Sequence, residues 1–283
     1  MGTQPQDGLA GLGSAALFGN VLCAVDGKPG GFVAVEQAAA LAGPQGHLTL
    51  LVVTSFRSEG EYRSPAIGPA EATRILERAT RIAHEAGVPS TVEADPATPP
   101  AQVILDWSAR HDLLALGAPA TSWLGGMFIA SVGDTALGSF TTPLLVTRAT
   151  PAEGHVSDRV LVASDGREGS DQLVELGRRL ARARNADMTL LHATGHESHA
   201  RRERVEEQGR RLELASPGTS EVRVERGHAH DVIAATAESV GASLVVMGSR
   251  RLDGLRAIGS VSRRVVHEAH CSVLILSPEY LHG

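Results

Sequence analysis

Asp26 and Asp165 stand in the same setting. Each follows a short apolar run and precedes a glycine, in NVLCAVDG (20–27) and RVLVASDG (159–166). A second group of polar residues lies in Gly248-Ser-Arg250-Arg251-Leu-Asp-Gly254-Leu-Arg-Ala-Ile-Gly259-Ser260-Val261-Ser262, which runs from an apolar strand pattern into a helix start. Glycines there let backbone N–H groups turn toward an anion, and a helix N-terminus adds free donors and a favourable dipole. Ser260 and Ser262 supply hydroxyls, and Arg250 and Arg251 supply charge for phosphate oxygens. The chemistry these types suit is the holding of an anionic, phosphate-bearing ligand by Gly248, the Gly259–Ser262 turn and the two arginines, with the Asp165-Gly166 turn at the end of the neighbouring strand pattern. The same residues also suit plain architecture, with Gly248 and Gly259 as turn formers and Ser260 as an N-cap, and spacing alone leaves both readings open.

Histidines form a third group. His192, His196 and His199 follow one strand pattern, and Gly227-His228-Ala-His230-Asp231 follows the next. Neutral imidazoles beside a carboxylate are ligands for zinc or a similar transition metal, so His192, His228 and His230 are candidates. The simpler reading is exposed loop histidines, with His230 or Asp231 capping the next helix, and no metal is expected. No G-x-S-x-G elbow, phosphate-loop lysine motif or G-x-G-x-x-G fingerprint occurs, and no carboxylate pair is placed as acid and base, so no catalytic residue is assigned.

The elements that position these groups come in two copies. HLTLLVV (47–53) matches DMTLLHA (187–193), Gln102–Asp106 matches Asp231–Ala235, DLLALGA (112–118) matches SLVVMGS (243–249), and Leu144–Thr147 matches Val273–Leu276. Landmarks repeated in one order mark a tandem repeat. Between them lie helical periods: Leu173, Leu176, Gly177 and Leu180 share one face behind a cap at Ser170 or Asp171, and Val261, Val265, Val266 and Ala269 share another. The Arg/Glu block at 200–214 reads as a solvated helix with i, i+4 pairs. Alternating strands and helices, with the strands apolar throughout, predict a parallel sheet covered on both faces in each half. In such a sheet a ligand sits beyond the strand C-termini at the switch in strand order, between the first and fourth strands. The histidines should lie on the same rim.

Composition narrows the function. The 283 residues suit two domains, expected at 19–149 and 157–279 after a disordered leader at 1–18, with the seam at Thr150–His155. The leader has no basic start followed by an apolar run, so it does not read as a signal peptide. The net charge of −6 and 3% aromatic content offer nucleic acid neither a basic face nor a stacking platform. No run of about 18 apolar residues is present, so no membrane span is expected. The only cysteines, Cys23 and Cys271, lie far apart in apolar contexts, as in a reduced cytoplasmic protein.

The VDG and SDG turns, VVMGSRR, and Gly259-Ser-Val-Ser-Arg-Arg-Val-Val266 before Ser272–Leu276 together resemble the universal stress protein family, over nearly all of 19–278. The resemblance implies two tandem doubly wound α/β domains with five-stranded parallel sheets, Rossmann-like and adenine nucleotide alpha hydrolase-like. It implies that they pack as a pseudo-dimer and, in one branch of the family, hold ATP or AMP in the crevice. Slow ATP hydrolysis would be the most enzymatic behaviour it implies.

The family's nucleotide motif is Gly, two residues, Gly, nine residues, then Gly-Ser or Gly-Thr, and this chain departs from it. In the second half Arg251 takes the second glycine's place and the loop to Gly259 is two residues shorter. In the first half the spacing holds from Gly117 to Ala130-Ser131, but Ala120 and Ala130 replace glycines and Pro119 removes a donor. The second half is therefore the favoured site, with Asp26, Gly117, Ala130 and Ser131 the weaker counterpart. Two functions stay open: a nucleotide-responsive regulator, or a stress-linked interaction and dimerisation protein without nucleotide. Either would act on an unidentified protein partner, with a homodimer possible beyond the intrachain pair.

Overall fold

A computed structural model of the chain describes residues 17–54, 67–97, 99–118, 140–149, 158–167, 169–194, 199–215, 220–249, 251–252, 255–258 and 260–282. The leader, the seam at 150–155, and the helix expected between the fourth and fifth strands of the first half lie outside these residues.

The first half runs β1 (Asn20–Ala24), α1 (Pro29–Ala42), β2 (His47–Val53), α2 (Pro69–Glu85), β3 (Ser90–Asp95), α3 (Pro100–Ser108), β4 (Leu113–Gly117) and β5 (Leu144–Thr147). The second runs β6 (Arg159–Ala163), α4 (Ser170–Arg184), β7 (Asp187–Thr194), α5 (His199–Ala215), β8 (Ser220–Arg226), α6 (Ala229–Ser239) and β9 (Leu244–Gly248). It ends with β10 (Arg251–Leu252), β11 (Leu255–Ile258), α7 (Ser260–Glu268), β12 (Ser272–Leu276) and α8 (Pro278–His282). Prolines open α1, α2 and α3, where a missing N–H costs nothing and the fixed φ favours the helix.

All the long strands join one ten-stranded sheet in the order β3-β2-β1-β4-β5-β12-β9-β6-β7-β8. Among the described residues every pairing of this sheet within a half is parallel, and the first strand is central, as the alternation of strands and helices predicts. The halves meet through their last strands, which pair antiparallel with Leu144, Leu145 and Val146 opposite Ile275, Leu274 and Val273. Each last strand thereby covers the other's otherwise open apolar edge.

Burial on both faces explains the continuous apolar runs. Val21, Cys23, Val160, Val162, Leu145 and Leu274 point to one face, packed with α1, α2, α4 and Val205 of α5. Leu22, Leu161, Leu144, Val146, Val273 and Ile275 point to the other, packed with α3, α6 and α7. Both cores run unbroken from one half into the other. A polar knot beside the seam fixes register. Ser272 donates its hydroxyl to Gln37 Oε1 (2.6 Å) and accepts Arg148 N–H (2.9 Å), while the Gln37 amide donates to the Arg148 carbonyl (2.7 Å). The Arg148 guanidinium donates to the Val266 carbonyl (2.7 Å) in the last turn of α7, where positive charge suits the helix dipole.

Candidate functional site

The C-terminal ends of β1 and β4, and of β6 and β9, are sheet neighbours, so each half has its switch point where the repeated Asp-Gly turns lie. The turns are built alike. Asp26 Oδ1 accepts the Lys28 N–H and Asp165 Oδ1 the Arg167 N–H, each at 3.0 Å. The following basic side chain closes on the same carboxylate, Lys28 Nζ at 3.2 Å and Arg167 Nε at 3.8 Å. Gly27 and Gly166 adopt φ of +79° and +65°, which only glycine takes without strain. Side chains added there would also strike α2 at Ile75 and α5 at the Arg201 carbonyl. Both aspartates thus use one oxygen to shape the turn, and the partly exposed carboxylates stay on the rim.

Beyond the turns the halves diverge. In the first, the N-terminus of α1 lies on the end of β4 with backbone touching backbone: a Cβ on Gly117 would come within 2.2 Å of Gly30 C and O. Ala130 and Ser131 lie outside the described residues. In the second, a Cβ on Gly248 would meet the tip of Leu281 at 3.1 Å. Ser262 is buried in the first turn of α7 and donates its hydroxyl to the Gly248 carbonyl (3.3 Å), joining that helix to the end of β9. Val261 packs beside the α6–α7 core. Arg250 and Gly259 lie outside the described residues. Arg251 lies in β10, which pairs antiparallel with β11, so a hairpin stands where the motif had suggested an open glycine loop. The Asp253-Gly254 dipeptide between the strands is the sequence signal for it.

Beneath the second turn sits a polar hub that sequence reasoning missed. Gln208 is buried on α5; its Oε1 accepts the Ser164 hydroxyl (2.9 Å), and its Nε2 donates to Ser170 Oγ (2.9 Å) and Asp171 Oδ1 (2.7 Å). Ser164 in turn accepts the Gly166 N–H at 3.3 Å. The N-cap of α4 is Gly169, at φ +84°, rather than Ser170 or Asp171: those side chains are engaged by the Arg167 carbonyl and by Gln208. Within the charged block 200–214, the uncharged Val205, Gln208 and Gly209 mark the buried stripe at i, i+3 and i+4, a signal that the surrounding Arg–Glu pairs obscure. Changing Gln208 to Ala should lower unfolding free energy by about 2 kcal/mol, since it strands several buried polar atoms at once. Urea denaturation checks this, and a loss below about 0.5 kcal/mol would deny the hub its structural role.

The histidines separate. His192 is buried in β7, its Nδ1 2.9 Å from the Ser164 carbonyl, and so belongs to the same hub. His228 is the N-cap residue of α6 without a side-chain capping bond, and its ring stacks on His230 with centroids 6.1 Å apart. His230 and Asp231 lie within the first turn of α6. With Glu268 they bring ligand atoms within 4.8 Å of one another, but Arg264 Nη1 stands 2.9 Å from His230 Nε2, a positive charge where a cation would have to enter. Burial pushes the Cys23 thiol up to about 12 and the Cys271 thiol up to about 11, so neither is a thiolate at neutral pH.

The sequence model of the Universal stress protein family matches residues 17–148 and again 157–277. The chain belongs to the universal stress protein family. It is a tandem member, and its two family domains pack as a pseudo-dimer about the β5–β12 seam. A universal stress protein from Archaeoglobus fulgidus is similar over 92% of this chain and 98% of its own, at 20% identity and a TM-score of 0.72. A functionally unknown protein from Pseudomonas aeruginosa covers 93% and 94% at 19% identity and a TM-score of 0.67. The cytoplasmic domain of a prokaryotic cation chloride cotransporter covers 90% and 94% at 13% identity and a TM-score of 0.57. At these identities the likeness is one of fold. No curated protein matches the chain. Among the described residues no helix is long and apolar enough to cross a membrane.

Proposed function

We propose that this universal stress protein is a nucleotide-responsive regulator, not an enzyme, that takes ATP or AMP in the crevice of its second domain and acts in the cytoplasm through a protein partner. The observation that carries the proposal is the convergence, at neighbouring strand ends, of the Asp165-Gly166 turn, Gly248 and the start of α7 at Ser260, directly after Gly259. Asp165 would face the ribose or adenine, and the donors of Gly259, Ser260, Val261 and Ser262 the phosphates, with Arg250 or Arg251 supplying charge. The first domain supports this division by contrast: Ala120 and Ala130 stand in place of the motif glycines. Domains spanning 19–149 and 157–279 would let one half carry the ligand while the other serves as its fixed partner.

A second reading is a stress-linked interaction protein without nucleotide. The Ser262 hydroxyl favours it, because it is spent on the Gly248 carbonyl instead of being left for a phosphate. Calorimetry with ATP, ADP and AMP separates the readings. Heat of binding is expected for the wild type and for Ala130→Val, and none for Gly259→Val. A silent wild type, or loss only in Ala130→Val, would give the site to the second reading or to the first domain.

A further inference from the structure

We propose that the edge strand β8 is an interface to a second copy of this chain: two β8 strands pair antiparallel about Val224 and join two ten-stranded sheets into one. The pairing does not depend on the nucleotide reading.

The sheet ends at β3 on one side and at β8 on the other, and β8 pairs only with β7. Its backbone is set for a further strand. The Gly227 N–H donates to the Thr194 carbonyl of β7 (3.1 Å), and the Glu225 carbonyl accepts the Thr194 hydroxyl (3.2 Å). The odd-numbered residues therefore face β7. Main-chain groups of successive strand residues point to opposite sides, so those of Ser220, Val222, Val224 and Arg226 point outward. Val222 and Val224 are 40% and 38% exposed. An edge that is open and partly apolar is a template for another strand.

The side chains choose the partner and the register. Val222 packs against Gly209 of α5, while Arg223 donates to Ser239 Oγ of α6 (3.3 Å) on the opposite face. Val222, Val224 and Arg226 thus share the α5 face, and Glu221, Arg223 and Glu225 the α6 face. Pairing about Val224 sets Arg223 opposite Glu225 of the second copy, twice by symmetry. It also sets Val224 on its own equivalent and the Arg226 stem over Val222. Arg223 keeps its own Glu221 at 2.9 Å, and Glu225, which forms no ion pair among the described residues, gains one. Pairing about Arg223 would instead set Arg223 on Arg223 and Glu221 on Glu225. Pairing about Val222 would give Arg223 a second Glu221 and leave Glu225 without a cation. Charges that commonly blunt an edge strand here select one register.

The same comparison limits the assembly to two copies. The other edge, β3, carries Glu93 and Asp95 and no basic residue. Setting Glu93 opposite Arg223 of another copy puts Asp95 on Glu221, and setting Asp95 there puts Glu93 on Glu225. Head-to-tail growth from β3 to β8 therefore meets like charges, whereas a twofold β8 pair closes on itself. The pair would add about six main-chain hydrogen bonds. Its area falls below the roughly 1,200 Å² of a stable interface, so association in the micromolar range is expected.

The test is sedimentation equilibrium of the full chain from about 1 to 300 μM, a span that brackets micromolar affinity. Wild type is compared with Arg223→Glu, Glu225→Arg and the double variant. Wild type is expected to dimerise, and each single variant to associate at least about tenfold more weakly, since each creates two like-charge contacts. The double variant exchanges the two charges and should restore most of the affinity, which a loss through misfolding would not allow. A wild type that stays monomeric overturns the proposal. So does a dimer indifferent to both single changes, or a loss that the double variant fails to rescue. Weaker association in Glu221→Gln but not in Glu225→Gln would place the register on Val222, and that also overturns it.

Discussion

Gly117→Ala is expected to cost about 3 kcal/mol or more of unfolding free energy, at the upper end of what overpacking usually costs. The added methyl would lie 2.2 Å from Gly30 C and O and 2.5 Å from Gly31 N, all main-chain atoms of α1. No rotamer change relieves that contact. The first turn of α1 would have to lift from the sheet, taking Phe32 and Val35 with it. The reciprocal change, Gly30→Ala, should cost as much, because its Cβ would stand 2.3 Å from the Ala118 carbonyl oxygen. Gly248→Ala is the control at the matching position of the second domain. Its nearest neighbour is the far end of Leu281 at 3.1 Å, so the loss should stay below about 1 kcal/mol. Denaturant titration of the three variants gives the comparison directly. Equal costs at Gly117 and Gly248 would mean that the two strand ends are packed alike, contrary to the geometry.

The asymmetry also marks the limit of what could be read from residue order. Strands were legible because both faces of the sheet are covered, so Val21–Cys23 or Leu244–Met247 appear as unbroken apolar runs. The repeat was legible because each run ends in the same turn, and the turn needs Asp and Gly in both halves. That the halves pack as a pseudo-dimer was implied by the family resemblance, and the β5–β12 pairing that forms it covers two apolar edges. What packs against the end of each fourth strand was not legible. Gly117 and Gly248 look alike in sequence, and only the course of α1 in one half and of α8 in the other distinguishes them. Ser262 likewise has the type and place of a ligand-facing hydroxyl, yet its proton goes to the Gly248 carbonyl. Gln208 was hidden for another reason: one buried amide among arginines and glutamates does not alter the average character of its helix. Arg148 reads as a surface residue after a strand, until the second domain supplies the α7 carbonyls that it caps.

The seam itself leads to the other large effect. Leu145 and Leu274 are directly opposed across the β5–β12 junction, both fully buried and on the same face, one from each domain. Leu145→Ala and Leu274→Ala should each cost about 3 kcal/mol, the middle of the range for emptying a leucine site in a packed core. Because each leucine lines the cavity left by the other, the double variant should lose less than the sum of the two, by about 1 kcal/mol. The stronger expectation concerns cooperativity. The cores on both faces pass through the seam without a break, so the two domains should unfold in one transition, and either single variant should shift that whole transition. Independent domains would behave otherwise: Leu145→Ala would move only the unfolding step of the first, and Leu274→Ala only that of the second. Urea unfolding followed by the fluorescence of Trp107 and Trp123, both in the first half of the chain, and in parallel by amide exchange of the second, separates the outcomes. Coincident midpoints that move together in both variants are expected. Midpoints that part in either variant would show that the pseudo-dimer is two folding units in contact.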